Sequence, residues 1–579
     1  MSWTKPLFLV ASVMLTCLPG SSAHTQEKSS KTVSPFGPNV FVYTAATSPA
    51  AMQERIDSVY ATQQHSEFSR ERYAFLFLPG VYHLDLPIGF YTQVLGLGAT
   101  PDSVHITGNV RVDAASRNDN ATTTFWRSAE GFSVTPTVSP MRWAVSQAVA
   151  FRRMHVHGDM VLNQNKGWAS GGWMSDTVVD GEVNSGTQQQ WISRNSEWKS
   201  WRGSNWNMVF VGVDHPPAGD WPTPPLTKVD TTPVIREKPF LIADSRGRFS
   251  VVVPALTHNT RGTSWHRGGT PGRTVSLDRF YIAQPGHDTA ATINKQLAVG
   301  RSLLLTPGIY DLAEPIRVTH KDTIVLGLGF ATLHPTAGTA AMQLADVDGI
   351  TVSGLLFDAG EQRSPNLLEV GTPGEHRSHA SNPISLHDVF FRVGGAGVGQ
   401  TIDNLVVHSD DTLIDHTWIW RADHGQGVGW TSNRSDTGLV VNGNNVTVYG
   451  LFVEHQQKYQ VLWNGNAGRT FFYQSEIPYD PPDQPSWQSS PATLGWASYK
   501  VADSVQVHEA WGLGIYSVFR HPDVSLTRAI ETPVRPTVRF HDMITVALDN
   551  LGQITHIVND TGDAAIPKPR TTPKLTSFP

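Results

Sequence analysis

The feature that most constrains the fold is an internal duplication, in which one block of sequence occurs twice. The first copy reads AFLFLPGVYHL and then VLGLG within residues 74–98, and the second reads LLLTPGIYDL and then IVLGLG within residues 303–329. Each copy is an apolar strand, a Pro-Gly turn and a second strand ending in Gly-Leu-Gly, and each follows a segment with helical character. A duplicated block of this kind indicates two related halves, each with its own core.

Short strands separated by Gly, Asn and Asp follow each copy, as in GITVSGLLFDAG and TGLVVNGNNVTVYGLFVEH. The pattern is typical of a propeller, a β-sandwich or a parallel β-helix. We favour the β-helix, whose coils each take roughly 20 to 30 residues. The sequence therefore predicts an all-β protein of two tandem right-handed parallel β-helix domains. A short helix before each block, with Ser48 or Asp288 as its N-cap, is expected to cap the open end of its solenoid.

The N-terminus has the pattern of a secretory signal peptide over residues 1–23. Lys5 precedes the apolar run Leu7–Leu18, and small residues lead up to Ala23. A buried first strand or an anchor is the alternative, but the run is too short to span a bilayer. Cleavage near Ala23 removes Cys17, the only cysteine, and with it any thiol chemistry. We expect a secreted, extracellular protein with no membrane attachment after cleavage.

The domain boundaries follow from the same patterns. We place the N-terminal β-helix domain at residues 36–230, a linker with a bridging hairpin at 231–280, and the C-terminal β-helix domain at 281–579. The hairpin turn is predicted at residues 244–247, after a Pro-rich segment. Because the linker is not rich in Gly and Ser, we expect the halves to pack rigidly, with a ligand groove between them.

Composition narrows the class of ligand. The formal net charge of -6 and the 16% of charged residues give no basic surface of the kind that nucleic acid requires. The chain has 50 Gly, 38 Pro and 18 Trp, a combination common in sugar-binding proteins, where indole faces stack on pyranose rings. We expect a polysaccharide partner, no nucleic acid and a monomeric protein.

Two glutamates have the spacing of a catalytic pair. Hydrolysis of a glycosidic bond needs one protonated carboxyl and a second group that activates or holds water. Residues about one coil apart stack on each other in a β-helix, and Glu454 and Glu476 are 22 positions apart, each at the end of a predicted strand. From the spacing alone, two solvated surface glutamates remain the alternative.

A second acidic cluster lies in SDDTLIDHTWIWRADHG, which contains Asp410, Asp411, Asp415, Asp423 and His424. Tandem aspartates before a His-Gly pair are similar to those of the inverting polygalacturonase-like β-helices. Asp also populates β-helix turns for conformational reasons, so we favour a turn role for Asp410 and Asp411. Asp423 could instead bind a sugar hydroxyl.

Polar residues of the N-terminal half suit recognition of a neutral sugar, because amides and hydroxyls stand beside indoles in segments such as KGWASGGWMSD. His155 and His157 alternate and so share a strand face, but no third ligand is evident, and we predict no metal site and no cofactor. Arg152 and Arg153 are the only basic pair comparable to those of polyanion lyases, which argues against a pectate or alginate lyase.

Many short motifs, which occur in order along the chain, identify a family. From about Pro38 to the C-terminus they include WAVSQA, RRMHVHG, GWASGG, QQQW, WNMVF, TPGIYDL, GLLFDAG, DHTWIWRADHG, GLFVEHQQKYQVLWNGN, PYDPP and HEAWGLG. The chain resembles the bacterial laminarinase branch of glycoside hydrolase family 55, exo-β-1,3-glucanases with two tandem β-helix domains in a rib-cage-like shape. The resemblance implies an inverting enzyme that releases glucose from laminarin or fungal-wall β-1,3-glucan.

The resemblance also assigns roles to residues. It implies that Glu476, in QSEIPYDPP, is the general acid, and that the attacking water is held by a polar network without a single obvious base. The network residues it implies are Glu454, Tyr479, Gln147 and Ser170. Where others of the branch have a serine after WNMVF, this chain has Val211.

Further residues are candidates for sugar binding, with a core or clamp role as the alternative for Trp418 and Trp420. The substrate-binding candidates are Asp423, His424, Trp420, Trp430, Trp463, Gln189, Gln190 and Trp191, with Trp418 and Trp487 as further platforms. Two other functions remain open: the same scaffold acting on another neutral glycan, and a non-catalytic glycan-binding solenoid. The irregular coils argue against the solenoid, since adhesins typically repeat near-identical coils.

Overall fold

The structure is a computed structural model that describes residues 35–115 and 118–579. Within these ranges the chain is almost entirely β, and its two α-helices are Pro49–Gln63 and Ala290–Ala298. Neither helix has the length and apolarity that crossing a membrane requires. The predicted signal peptide lies outside the described residues.

The N-terminal half is a parallel β-helix with two main sheets. The first, which we call the N-facing sheet because it packs against the other half, has nine strands. In spatial order these are Val40–Tyr43, Tyr73–Phe77, Thr92–Gly96, Arg127–Glu130, Val149–Arg152, Trp173–Ser175, Gln190–Arg194, Asn207–Val211 and Leu226–Val229. The second, the N-outer sheet, comprises Met141–Arg142, Met160–Val161, Val178–Asn184, His155–Val156, Ser133–Pro136, Val104–Gly108 and Gly80–His83, with Glu197–Arg202 beside Val178–Asn184. Leu86–Pro87 pairs separately with Val110–Arg111.

The C-terminal half repeats this plan on a larger scale. Its C-facing sheet contains Phe280–Ala283, Ser302–Leu305, Ile324–Pro335, Thr351–Asp358, Ser385–Val393, Leu413–Arg421, Thr447–Glu454, Gly468–Glu476, His508–Ser517, Val538–Ala547 and Lys574–Phe578, with Ile309–Leu312 beside Ile324–Pro335. Its C-outer sheet contains Ile316–Val318, Met342–Leu344, Leu368–Val370, Thr401–Val407, Ser435–Val441, Val461–Trp463, Tyr499–Val501, Leu526–Glu531 and Ile554–Val558. The pairings are parallel except for the last strand of the C-facing sheet, which is antiparallel.

Antiparallel strands connect the halves, between Val229 and Phe280. Thr232–Arg236 pairs with Leu256–Thr260, and a three-stranded sheet combines Phe240–Ala243, Phe249–Pro254 and Gly272–Ser276. The turn joining Phe240–Ala243 to Phe249–Pro254 is closed by a hydrogen bond from the Gly247 amide to the Asp244 carbonyl, at 2.9 Å. The hairpin therefore lies where the sequence predicts it.

The duplication is visible in the backbone. Gly80 and Gly308 have φ values of +155° and +152°, a conformation that side chains disfavour, and a Cβ on Gly308 would lie 2.4 Å from a ring atom of Pro285. The hydroxyls of Tyr82 and Tyr310 each lie within hydrogen-bond distance of two backbone carbonyls, one across this turn and one on the neighbouring strand. The Pro-Gly signature thus encodes the same turn in both halves.

The two helices cap their solenoids as expected. Met52, Ile56 and Val59 join the core of the N-terminal half, and the Ala290–Ala298 helix packs on the C-terminal core. The predicted N-cap Asp288 is wrong. Thr289 caps the second helix by accepting from the Thr292 amide, because Asp288 instead binds the Tyr281 hydroxyl and the Gln284 amide.

A buried network of charges joins the N-facing and C-facing sheets. Arg152 binds Asp388 at 2.7 Å and Asp415 at 2.8 Å, Arg194 binds Asp415 at 3.0 Å, and Lys238 of the connecting segment binds Asp388 at 2.9 Å. Buried charges of opposite sign fix geometry, since separating them leaves an uncompensated charge. With the aromatic cluster around it, the network holds the halves together.

Candidate active site

One row of side chains crosses the ends of four neighbouring strands in the C-facing sheet. Trp420 is in register with Glu454, Glu454 with Glu476, and Glu476 with Tyr516. We call these four residues the active-site row. Parallel strands lie about 4.8 Å apart, so side chains in register on adjacent strands are neighbours. The one-coil spacing seen in the sequence therefore brings the two glutamates side by side.

Glu454 is a buried carboxyl held by donors from both halves of the molecule. Its Oε1 accepts from Gln147 Nε2 at 2.7 Å, and its Oε2 accepts from Trp418 Nε1 at 2.8 Å. Gln147 Oε1 in turn accepts from the Ser146 hydroxyl, which orients the amide. Burial raises the pKa of Glu454, and the hydrogen bonds from Gln474, Trp418 and Gln147 oppose that shift.

Glu476 is more exposed than Glu454 and faces the space between the halves. The Tyr479 hydroxyl donates to its Oε2, and Gln474 Nε2 lies 3.5 Å from its Oε1. Burial, followed by the negative charges of Glu454 and Asp423, raises the pKa of Glu476 well above its ordinary value. Because two adjacent carboxyls do not ionise together easily, Glu476 holds a proton at pH values where an ordinary glutamate is charged.

Asp423 and His424 form a charged bridge beside the row. His424 Nδ1 lies 2.9 Å from Asp423, and its Nε2 lies 2.7 Å from Glu67 of the N-terminal half. Hydrogen bonds to these two carboxylates outweigh burial and raise the pKa of His424 to about 10. The pKa of Asp423 is lowered, because His424, His455 and Arg520 outweigh its burial. The imidazolium thus links the two halves at this end of the row.

A cavity of about 250 Å³ lies between the halves, over the active-site row. Nine of the predicted site residues line it: Glu476, Glu454, Tyr479, Gln147, Ser170, Asp423, His424, Trp420 and Gln189. Of the remaining four, Gln190 is buried behind the wall, where its Nε2 donates to Ser170 Oγ at 3.1 Å. The structure therefore places Gln190 as a support for Ser170 and not as a surface for sugar.

The prediction of a sugar-binding surface is wrong for three tryptophans, and a fourth predicted tryptophan lies outside the cavity. Trp191, Trp463 and Trp487 are fully buried in the solenoid cores, so no ring face is open to a ligand. Trp430 packs beside the Arg421 guanidinium and does not line the cavity. Trp418 is also buried, as the alternative interpretation held, but its indole N–H reaches the site through Glu454.

The other acidic candidates have structural roles. Asp410 and Asp411 accept hydrogen bonds from the backbone amides of Asn444 and His379 in neighbouring turns, as the turn interpretation predicts. Asp415 belongs to the buried charge network. Val211 is buried in the apolar contact between the halves, which agrees with its lack of a polar group.

Several residues that line the cavity were not predicted as site residues from the sequence. Thr122, Thr123 and Phe125 come from an irregular loop of the N-terminal half, and Leu548 follows the last long strand of the C-facing sheet. His455 comes directly after Glu454, and its place in FVEH is the one hint that could have identified it. Loop residues have no periodicity from which their position could be inferred.

The fold and the cavity together define a class: a tandem parallel β-helix glycoside hydrolase with a carboxyl pair between its halves. Comparison with known proteins agrees. The family model described as the LAM55 pectate lyase-like domain matches residues 280–476. An exo-β-1,3-glucanase of Streptomyces sp. (strain SirexAA-E / ActE) is 48% identical over 546 residues, which is 94% of this chain and 89% of that protein.

Two solved structures from Streptomyces sp. SirexAA-E extend the match to the fold. That of sacteLam55A is 47% identical, with a TM-score of 0.91 over 94% of this chain and 99% of the other. The second is a variant of sacteLam55A with a glutamate replaced by alanine, in complex with glucose, at the same identity and TM-score over 94% and 98%. This chain belongs to glycoside hydrolase family 55.

Proposed function

We propose that this protein is a secreted, monomeric exo-β-1,3-glucanase that releases glucose from laminarin-type or fungal-wall β-1,3-glucan with inversion and without a cofactor. The observation that carries the proposal is the adjacency of Glu476 and Glu454, a more accessible carboxyl in register with a buried one, where burial and the neighbouring charge raise the pKa of Glu476. The names of the relatives support the linkage. Secretion rests on the N-terminal sequence pattern.

In the proposed reaction, Glu476 donates its proton to the glycosidic oxygen as the bond to the anomeric carbon breaks. Tyr479 holds the carboxyl in position for that transfer. A general acid of this kind is most effective when its pKa lies near the working pH, which the raised pKa of Glu476 favours. Its partial exposure lets it reach a substrate oxygen, whereas Glu454 is only 3% exposed.

The hydrogen bonds to Glu454 support inversion. Both oxygens of Glu454 already accept a hydrogen bond, from Gln147 and from Trp418, so the carboxylate is poorly placed to form a covalent glycosyl intermediate. A carboxylate retains further lone pairs, so it can still accept from a water that Gln147 and Ser170 help to position. In the proposed step this water attacks the anomeric carbon, and its proton passes to the Glu454 carboxylate.

Release from the chain end is supported by the bridge of Glu67, His424 and Asp423. It joins the halves beside Trp420 and would limit how far a glucan extends past the first sugar. The bridge also offers charged groups to sugar hydroxyls, as charge-assisted hydrogen bonds.

The experiment that tests the proposal is hydrolysis of a panel of β-1,3-, β-1,4-, β-1,6- and α-linked glucans, with product analysis and time-resolved NMR of the anomeric protons. We expect glucose from the β-1,3-linked polymer, appearing first as the α-anomer. Initial β-glucose would overturn inversion, release of long oligosaccharides would overturn the exo mode, and preference for another linkage would overturn the substrate.

A further inference from the structure

The loop directly after the proposed general acid carries the tyrosine that holds it. The strand Gly468–Glu476 ends at the acid, and the PYDPP segment, residues 478–482, follows outside any strand. Tyr479 returns from this loop to its acid, and its hydroxyl donates to Glu476. Loops are more mobile than the strands that they connect. The position of Tyr479 therefore depends on the contacts that hold the loop in place.

Two backbone hydrogen bonds hold this loop against the next coil. The Ile477 amide donates to the Tyr516 carbonyl at 2.9 Å, and the Arg520 amide donates to the Tyr479 carbonyl at 3.2 Å. A third anchor is charged. It is the side chain of Asp480, which comes directly after Tyr479 in the PYDPP segment.

Asp480 forms a bidentate ion pair with Arg421, the last residue of the strand Leu413–Arg421. Nη1 of Arg421 lies 2.8 Å from Oδ1, and Nη2 lies 2.8 Å from Oδ2. The Arg421 side chain is only 1% exposed. Although burial opposes ionisation of Asp480, the hydrogen bonds and the charge of Arg421 lower its pKa below the ordinary value. Two parallel N–H···O bonds fix the orientation of the carboxylate as well as its distance.

Backbone carbonyls occupy the rest of the Arg421 guanidinium. Nε donates to Asn433 at 2.7 Å, Nη2 to Gly429 at 3.2 Å, and Nη1 to His455 at 3.3 Å. With the two bonds to Asp480, each of the five N–H donors of the guanidinium has an acceptor. A lysine ammonium is a compact charge without this planar fork, so it does not reproduce the arrangement.

The contacts of Arg421 reach the ends of both strands that carry the carboxyl pair. His455 follows Glu454 directly, and its amide donates to the carbonyl of Glu476 at 2.9 Å. Asp480 anchors the loop that follows Glu476. Neither Arg421 nor Asp480 lines the cavity, so any effect of this pair on catalysis passes through the residues that it holds.

We propose that Arg421 and Asp480 are positioning residues for the general acid, because their ion pair fixes the loop from which Tyr479 holds Glu476. The inference rests on the proposed function and deepens it, since it assigns a role to two residues outside the cavity. Proton transfer requires the acid to lie within hydrogen-bond reach of the leaving oxygen, and small misplacements are costly. Loss of the pair should therefore slow proton donation and leave sugar binding almost unchanged.

The test is the variant Asp480→Asn, assayed on laminarin and on 2,4-dinitrophenyl β-glucoside, whose leaving group needs no protonation. We expect kcat on laminarin to fall roughly ten- to a hundredfold with little change in KM. The aryl glucoside should be hydrolysed at a rate close to that of the wild type. Arg421→Lys keeps the buried charge but cannot form the two parallel bonds, so it should show the same selective loss to a smaller extent. Equal losses on both substrates would overturn the proposal.

A double-mutant cycle distinguishes positioning from a general structural role. If Asp480 acts through Tyr479, the double variant Tyr479→Phe/Asp480→Asn should lose no more kcat on laminarin than Tyr479→Phe alone. Losses that simply multiply would refute the proposal, because they would show that the two residues act independently.

Asp358→Asn is the matched control. Asp358 forms the same kind of bidentate pair, at 3.0 and 2.6 Å, with Arg392, which is also 1% exposed and lies on the neighbouring strand of the C-facing sheet. Asp358 does not line the cavity. The control should lower Tm about as Asp480→Asn does, but it should leave the ratio of the two activities at the wild-type value. A selective loss on laminarin in Asp358→Asn would contradict the assignment.

Crystal structures of the wild type and of Asp480→Asn separate failure of this proposal from failure of the proposed function. A wild type that hydrolyses no β-1,3-glucan would refute the proposed function, but the Tyr479 hydroxyl should still lose its contact with Glu476 in Asp480→Asn. A hydroxyl that stays within hydrogen-bond distance of Glu476 in the variant would refute the positioning role, whatever the activity.

Discussion

The Gln147 side-chain amide donates to the Glu454 carboxylate at 2.7 Å, although the two residues are 307 positions apart and belong to different halves of the molecule. This hydrogen bond makes the active site a property of the packed pair of solenoids. The C-terminal half provides the row of carboxyls, and the N-terminal half provides the amide that orients the buried one. Neither half alone contains the arrangement.

We expect Gln147→Ala to lower kcat and to shift the pH profile. The hydrogen bond from Gln147 lowers the pKa of Glu454, so its removal raises that pKa further. If the reaction needs Glu454 ionised, the acidic limb of the kcat profile moves to higher pH. Gln190→Ala is a useful comparison, because it perturbs Ser170 without touching Glu454, and an equal shift in that variant would contradict the assignment.

Replacement of Tyr479 by Phe should reduce kcat roughly ten- to a hundredfold, because the acid loses the hydroxyl that holds its Oε2 and misplacement of a catalytic group is costly. The phenyl ring keeps the packing against His455, whose ring centroid lies 4.3 Å away, so Tm should change little. Single-turnover kinetics and thermal unfolding measure the two effects. A large fall in Tm with proportionate loss of activity would point to a structural role instead.

The raised pKa of Glu476 predicts that this residue destabilises the protein at alkaline pH. The folded state binds the proton more tightly than the unfolded state does, so the free energy of unfolding falls as pH rises from the ordinary glutamate value through the folded pKa. Glu476→Gln removes this loss. Its Tm should exceed that of the wild type at pH 8 and approach it at pH 4, and a difference independent of pH would contradict the shift.

Asp415→Asn should strongly destabilise the whole molecule. The substitution leaves Arg152 and Arg194 with too little opposing charge in a buried place, and breaking such a pair costs about 3–5 kcal/mol. Chemical denaturation followed by tryptophan fluorescence would report the change. Asp503→Asn serves as the control, since the Asp503 side chain is 90% exposed and should contribute little.

Much of the fold could be predicted because its signals are local. The Pro-Gly turns at Gly80 and Gly308 repeat one conformational requirement, and the spacing of Glu454 and Glu476 equals one coil. The tryptophans show where such reasoning fails. Trp463 and Trp168 both stand among small and polar residues in the sequence, yet one fills a core and the other is exposed. Which way an indole points depends on the coils stacked above and below it, and a linear pattern does not contain that information.

Contacts between the halves could not be predicted from the spacing of residues in the sequence either. Gln147 could be placed only through resemblance to a family, and Glu67 and Phe125 were missed because they belong to loops of the N-terminal half. Their positions depend on how two solenoids dock, which the buried network of Arg152, Asp388 and neighbouring charges determines. Ion pairs between residues that are far apart in the chain produce no periodic pattern in the sequence.

The central claim, that Glu476 is the proton donor, is tested most directly by assaying Glu476→Gln on two substrates that differ in their need for an acid. Laminarin has a poor leaving group, so its hydrolysis should fall about 10²- to 10⁴-fold. The 2,4-dinitrophenolate group leaves without protonation. Glu476→Gln should therefore hydrolyse 2,4-dinitrophenyl β-glucoside at a rate close to that of the wild type. Near-wild-type hydrolysis of laminarin by Glu476→Gln, or an equal loss on both substrates, would contradict the assignment.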